Sequence, residues 1–226
     1  MTRTGLLGGS FNPAHRAHPR ISLAAARRLG LDEVWWLVSP GNPLKPEKDM
    51  APLAARFHSA RRAARGAPIR VTAIEARLGT RYTIDTLRRL VRLYPRRRFV
   101  WIMGADNLAQ FHHWRDWRSI ARTVPIAVVT RPGYDGRALK APAMGWLRRF
   151  VRPAAEVRNR TRWRLPSLVL LQLPPDPTSA TAIRADHPHW HEAVMKTFEP
   201  RAIRDGVTRK SLPERRPFAR HHTRFV

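Results

Sequence analysis

Short apolar runs recur along the chain, each closed by a turn rich in Gly or Pro, and between them apolar residues return every three or four positions. The runs are Gly5-Leu6-Leu7, Glu33 to Val38, Ile69 to Ala73, Phe99 to Met103, Ile126 to Val129 and Leu168 to Leu173. Too short for buried helices and too continuous for half-exposed strands, they are expected as strands covered on both faces. Helical spacing falls between them. Ile21 to Leu29 is one such segment, and Leu53 to Arg65 another, with Leu53, Phe57, Ala60 and Ala64 on one stripe. A third opens at Tyr82-Thr83-Ile84-Asp85, turns Ile84, Leu87, Leu90 and Val91 inward, and stops at Pro95. Strand alternating with helix predicts an α/β fold, a doubly wound and mostly parallel sheet with helices on both faces.

In such a sheet ligands bind beyond the carboxyl ends of the strands. The residues with chemistry to offer do follow strands: His15 and His18, Lys45, Asp106 and Arg131. The first of these sites is the most developed. Gly8-Gly9-Ser10-Phe11-Asn12-Pro13-Ala14-His15-Arg16-Ala17-His18 reads as strand end, glycine turn and helix start, with Asn12 as N-cap and Pro13 in the first helical position. A helix beginning there presents free N–H groups and a positive dipole end to an anion, most often phosphate. His15 and His18, three apart, face one way and donate hydrogen bonds to such an anion, whose charge favours the imidazolium. The plain alternative is an ordinary glycine turn with two solvated histidines. After the last strand, Thr178-Ser179-Ala180-Thr181-Ala182-Ile183-Arg184 repeats the theme: small hydroxylated residues opening a helix, with a guanidinium one turn on. Its alternative is a common Ser/Thr cap beside a surface arginine.

Composition changes the picture in one respect. The 226 residues carry 43 Lys+Arg against 16 Asp+Glu, a formal charge of +27, and no cysteine. Anionic partners are favoured, nucleotides first; nucleic acid is disfavoured but not excluded, because the arginines are spread over several segments. Disulfide and thiolate chemistry are excluded, and the reducing cytoplasm is the expected location. No run is long enough to span a membrane. His112-His113 and His187/His189/His191 do not make a metal site in the absence of cysteine. Residues 137–165 read as a mobile basic excursion with one short helix around Trp146, Leu147 and Phe150. A helical piece from His189 to Phe198 closes the domain, and residues 199–226 read as a basic, disordered tail.

The two phosphate segments together resemble the paired signatures of the HxGH nucleotidyltransferase superfamily, G-G-[ST]-F-[DN]-P-x-H-x-G-H and I-S-S-T-x-I-R. Ala17 stands where the family has glycine and Ala180 where it has the second serine. Arg81-Tyr82-Thr83-Ile84-Asp85-Thr86-Leu87, Gly104-Ala105-Asp106 with Phe111 to Trp117, and Arg131-Pro132-Gly133-Tyr134 are similar to blocks of the nicotinate-nucleotide adenylyltransferase family. The resemblance covers residues 4–198. It implies a Rossmann-like nucleotidyltransferase domain over residues 1–198 that moves AMP from ATP to nicotinate mononucleotide, with Mg²⁺ carried in on the triphosphate. It implies an ATP site of Gly8, Gly9, Ser10, Phe11, His15, His18, Ser179, Thr181 and Arg184, with His18, His15, Arg184 and Lys45 acting on the reacting phosphates. It implies an acceptor site of Lys45, Tyr82, Thr83, Gly104, Asp106, Trp114 and Arg131. Nicotinamide mononucleotide or phosphopantetheine as acceptor, and an RNA- or membrane-binding protein on the same scaffold, are the alternatives. The sequence leaves monomer and dimer equally open.

Overall fold

The structure, a computed structural model, describes residues 1–41, 50–130, 136–159, 163–174, 176, 178–196 and 203–213. Six strands form one sheet: β1 (Thr2–Gly9), β2 (Glu33–Val38), β3 (Ile69–Thr72), β4 (Arg97–Gly104), β5 (Ile126–Thr130) and β6 (Leu168–Gln172). The order is β3-β2-β1-β4-β5-β6 and every pairing is parallel. Leu6 on β1 stands between Trp35 of β2 and Trp101 of β4. The winding direction reverses between β1 and β4, which opens a crevice beyond their carboxyl ends.

The helices are α1 (Ala17–Leu29), α2 (Leu53–Ala63), α3 (Ile74–Leu78), α4 (Thr83–Leu93), α5 (Ala105–Ala109), α6 (Trp117–Thr123), α7 (Gly136–Leu139), α8 (Pro142–Leu147), α9 (Ala154–Asn159), α10 (Ala180–Asp186) and α11 (Trp190–Lys196). Period-two alternation along the strands feeds two cores. Trp35, Leu37, Phe99, Trp101 and Met103 meet α3 to α6 and α8 on one face. Val34, Trp36, Val38, Val100 and Ile102 meet α1, α2 and α9 on the other. None of the described helices is long and apolar enough to cross a membrane.

Four expectations are corrected. First, α1 begins at Ala17, not Pro13, and Arg16 holds the N-cap position. Asn12 instead turns its Oδ1 toward the Ala51 N–H at 3.4 Å, and Phe11 adopts φ 48°. The glycine turn therefore continues into a wider loop before the helix starts. Second, Val91 is 41% exposed, while the buried face of α4 runs through Ile84, Thr86, Leu87 and Leu90. The Thr86 hydroxyl lies 2.8 Å from Thr80 Oγ1 and 3.3 Å from Glu75 Oε1, and this buried polar contact turns the helix away from Val91. Third, the described part of residues 137–165 is built into the fold; 160–162 lie outside the described residues. α7, α8 and α9 bury Ala138, Ala143, Met144, Leu147 and Val157, while Arg148, Arg149, Arg152, Arg158 and Arg164 are exposed. Fourth, residues 203–213 pack against the sheet rather than trailing from it. Ile203 enters the second core. The buried Asp205 carboxylate accepts from Thr72 Oγ1, Ala73 N–H, Val207 N–H and Thr208 N–H. The Gly206 N–H donates to the Val71 carbonyl at 2.9 Å, so this segment covers the free edge of β3. A Cβ at Gly206 would stand 2.7 Å from that same oxygen, so only glycine allows the approach.

Glu75, fully enclosed beside Thr86, gives a pH prediction. Burial pushes its carboxyl up from 4.5 to about 7, opposed by the Thr86 hydrogen bond. A raised folded-state pKa means that the stabilising proton is fully in place below pH 4.5 and is lost as pH rises through about 7. Glu75→Gln is therefore expected to be more stable than the parent at pH 8, by on the order of 3 kcal/mol, and to match it below pH 4.5. Thermal melts of both proteins across this range check it; parallel pH profiles would overturn it.

Candidate active site

At the end of β1 the Gly9 carbonyl accepts the Ser39 N–H at 3.0 Å, which fastens the glycine turn to the end of β2. Gly8 is needed for a neighbour inside the protein: a Cβ there would sit 2.6 Å from the Trp101 indole. Beyond it the loop is held from the α2 side at three points. Arg56 Nη1 donates to the Ser10 carbonyl at 2.8 Å, the Ala51 N–H reaches Asn12 Oδ1, and the Ala14 N–H donates to Ser59 Oγ at 3.1 Å.

His18, in the first turn of α1, lies on this loop. Its ring meets His15 at 4.1 Å and packs on Phe11, which stacks in turn on Trp36 at 5.0 Å. Phe11 is therefore buried beneath His18 rather than presented to a ligand. Trp36 Nε1 donates to Ser22 Oγ at 2.8 Å, and Ser22 donates to the His18 carbonyl at 2.9 Å. His18 Nδ1 lies 3.1 Å from both the N–H and the carbonyl oxygen of His15. A neutral ring accepting from that N–H keeps its proton on Nε2, and an imidazolium donates from Nδ1 to that oxygen instead, so one backbone residue serves both states. Burial, reinforced by His15, pushes His18 down from 6.5 to about 4, against the pull of the carbonyl bond. The free protein therefore favours the neutral ring, and the imidazolium is expected only beside a bound phosphate.

The second segment closes on the first. Arg184, on α10, donates from Nη1 to the Asn12 carbonyl at 2.6 Å and to the Ala180 carbonyl at 3.1 Å, while its Nη2 lies 3.5 Å from Thr181 Oγ1. Ser179 caps α10, its Oγ accepting from the Ala182 N–H at 3.1 Å. Thr181 is exposed beside it. Asp176 makes a second tie: Arg20 donates to its Oδ2 at 2.6 Å, Arg16 Nε lies 3.4 Å from its Oδ1, and Arg16 also donates to Thr178 Oγ1 at 2.6 Å. Hydrogen bonds from Thr178, then Arg20 and Arg16, hold the Asp176 carboxyl well below the usual range despite burial. Of the two departures from the family pattern, Ala17 is buried at the first position of α1 and Ala180 opens α10.

The residues expected on the acceptor side are placed as follows. Trp114 meets Trp101 edge to face at 6.2 Å and Phe111 at 5.4 Å, and Trp101 is the ring that lies on Gly8. Tyr82 is the N-cap residue of α4, and the Arg115 guanidinium sits 4.7 Å above its ring. Among the described residues nothing accepts the N–H groups of Thr83 and Ile84, the first two of α4. Gly104 is the N-cap of α5, and Asp106, in its first turn, is exposed. Lys45 and Arg131 lie outside the described residues. Arg56 and Asp176 were not singled out in the sequence. The signal for Asp176 is its place directly after the last strand; that for Arg56 is a charge flanking an apolar helical stripe.

Residues 6–186 match the Cytidylyltransferase-like family. The parallel sheet, with its two segments joined at the switch point, is thus that of a nucleotidyltransferase. The chain is 61% identical over 95% of its length, and over 97% of the relative, to a protein named "Probable nicotinate-nucleotide adenylyltransferase" from Erythrobacter litoralis. Relatives of the same name from Cereibacter sphaeroides and Parvibaculum lavamentivorans are 51% and 50% identical, each over 80% of this chain and 95% and 90% of their own. The chain belongs to the nicotinate-nucleotide adenylyltransferase family. In backbone it is similar to Plasmodium falciparum nicotinic acid mononucleotide adenylyltransferase complexed with NaAD, with a TM-score of 0.62 at 15% identity over 87% of this chain and 96% of that one. At that identity the likeness is one of fold.

Proposed function

We propose that the chain transfers AMP from ATP to nicotinate mononucleotide, giving deamido-NAD and pyrophosphate. The observation that carries this is the Arg184 contact to the Asn12 carbonyl, which brings both phosphate-facing segments to one place. A phosphate oxygen of the mononucleotide attacks the α-phosphorus of ATP, the bond to the bridging oxygen breaks, and that oxygen leaves on pyrophosphate with its electron pair. The nucleophile is already ionised near neutral pH, so no general base is required. Catalysis then consists of aligning two polyanions and stabilising charge as it moves onto the leaving group. His18, with His15 beside it, donates to the α-phosphate and the bridging oxygen. Arg184 and Thr181 hold the β- and γ-phosphates, and the turn at Gly8 and Gly9 lets the chain pass beneath the nucleotide. Ser179 contributes by fixing the start of α10. Lys45 and Arg131 supply further positive charge.

Mg²⁺ enters with the triphosphate as part of that substrate. Its ligands there are mainly phosphate oxygens and water. On the acceptor side Trp114 stacks on the pyridine ring, Asp106 takes ribose hydroxyls beside Gly104, and the Tyr82–Thr83 helix start receives the carboxylate.

The free N–H groups of α4 also set the preference. They and the positive helix end favour a carboxylate over a neutral amide. Pyrophosphate release from ATP, with each mononucleotide offered separately, is expected to be at least about tenfold more efficient with the nicotinate form. No turnover with it would overturn the proposed reaction, and equal turnover with the nicotinamide form would overturn the role given to α4.

A further inference from the structure

A second cationic site lies at the opposite end of the sheet edge. The last turn of α2, the start of β3 and residues 203–209 enclose a hollow of about 700 Å³. It sits at the amino end of β3, whereas His18 and Arg184 stand at the carboxyl ends of the strands. Arg61, Arg62, Arg65, Arg70, Arg204 and Arg209 line it. Arg70 is held by Glu33. No carboxylate among the described residues pairs with the other five. Among the described residues Asp205 is the single acid in the lining, and its oxygens are spent on Thr72, Ala73, Val207 and Thr208. The His58 imidazole registers the resulting field: burial first, then Arg62, Arg61 and Arg65, push it below its ordinary range.

Five guanidiniums without carboxylate partners repel one another across a concave wall, and that repulsion is relieved by an anion. Planar guanidinium forks fit phosphate oxygens two at a time. The volume is that of a small-molecule site. Apart from His58 no ring among the described residues lines it, and these residues offer no platform for the base stacking that single-stranded nucleic acid uses. We propose that this hollow binds a compact anion carrying three or more phosphates, at a site separate from the catalytic centre. Arg61, Arg62 and Arg65 approach the ligand from α2, and Arg204 and Arg209 from the docked C-terminal segment. The bound anion then pins that segment onto the edge of β3.

Inorganic tripolyphosphate is the probe. The intact protein is treated with an arginine-modifying dicarbonyl, and protection at each arginine is read by mass spectrometry. Arg61, Arg65, Arg204 and Arg209 are expected to be protected at tripolyphosphate concentrations at least about tenfold below those protecting the exposed Arg28 and Arg92. Sulfate at matched ionic strength should not reproduce this. Arg65→Ala/Arg209→Ala should raise the concentration needed to protect Arg61 and Arg204 about tenfold or more, with turnover unchanged. Protection that is uniform over the surface, or that sulfate matches, would overturn the proposal. So would a single-stranded oligonucleotide protecting these arginines at lower concentrations than tripolyphosphate, which would make the hollow part of a nucleic-acid surface.

Discussion

His18→Ala is expected to lower kcat/KM by about 100- to 1,000-fold, the loss typical of removing one donor aimed at developing charge. Steady-state pyrophosphate release at 20 °C measures it, with the far-UV spectrum confirming that the variant is folded. The pH dependence carries the sharper test. With its pKa pushed down to about 4 by burial, free His18 is neutral from pH 5 upward, and kcat/KM reports the ionisations of the free protein and free substrate. No inflection near the ordinary histidine value should therefore come from this residue. An inflection near 6 belongs to the second ionisation of the substrate phosphate, about 6 for a phosphomonoester, and should persist in His18→Ala. On the proposed mechanism the half-buried ring takes its proton as the triphosphate arrives, and the His15 carbonyl oxygen, 3.1 Å from Nδ1, would accept it there. A variant of near-parental rate, or an inflection near 6.5 that vanishes with His18, would overturn this account.

The central strands were legible because they are buried on both faces, so composition alone marks them; β2, Glu33–Val38, coincides with its apolar run residue for residue. The pairing of the two phosphate segments was legible through their resemblance to known signatures, and the Arg184–Asn12 contact places them together. What escaped depends on polar contacts that periodicity does not register. Helix α4 buries Thr86 in place of Val91 because one hydroxyl finds Thr80 and Glu75. Residues 203–213 offer few apolar side chains and look like tail, yet Asp205 satisfies backbone and side-chain donors that the end of β3 would otherwise leave buried and unpaired. The late start of α1 follows from a loop held by Arg56, Ser59 and Arg184, none of which is local in sequence. The buried polar partners of the site are thus where reading by pattern fails, and they set its geometry.

Arg56 is the strongest case, and its loss should be costly. It is 1% exposed, in a helix whose other buried residues are apolar or small. Nε donates to the Ala51 carbonyl at 2.8 Å, and Nη1 donates to the Ser10 carbonyl at 2.8 Å and to the Ser39 carbonyl at 2.7 Å. Those three acceptors lie in the segment leading into α2, in the loop after β1 and in the loop after β2. One planar group thus joins the segments that frame the nucleotide site. Arg56→Met fills much of the same volume but leaves one buried and two part-buried carbonyl oxygens without this donor, each worth about 1–3 kcal/mol. The variant should lose at least about 3 kcal/mol, and its thermal midpoint should fall by roughly 6–12 °C. Arg56→Lys should recover only part, because an ammonium lacks the fixed fork that spans these carbonyls. A purely structural role would leave the folded fraction fully active. Measured well below the midpoint, Arg56→Met should instead show a raised KM for ATP together with a lowered kcat, since the loops carrying Ser10 and Ser39 are no longer tied together beside His18. A fully active folded variant would reduce Arg56 to a stabilising residue, and an unchanged melting point would remove its role altogether.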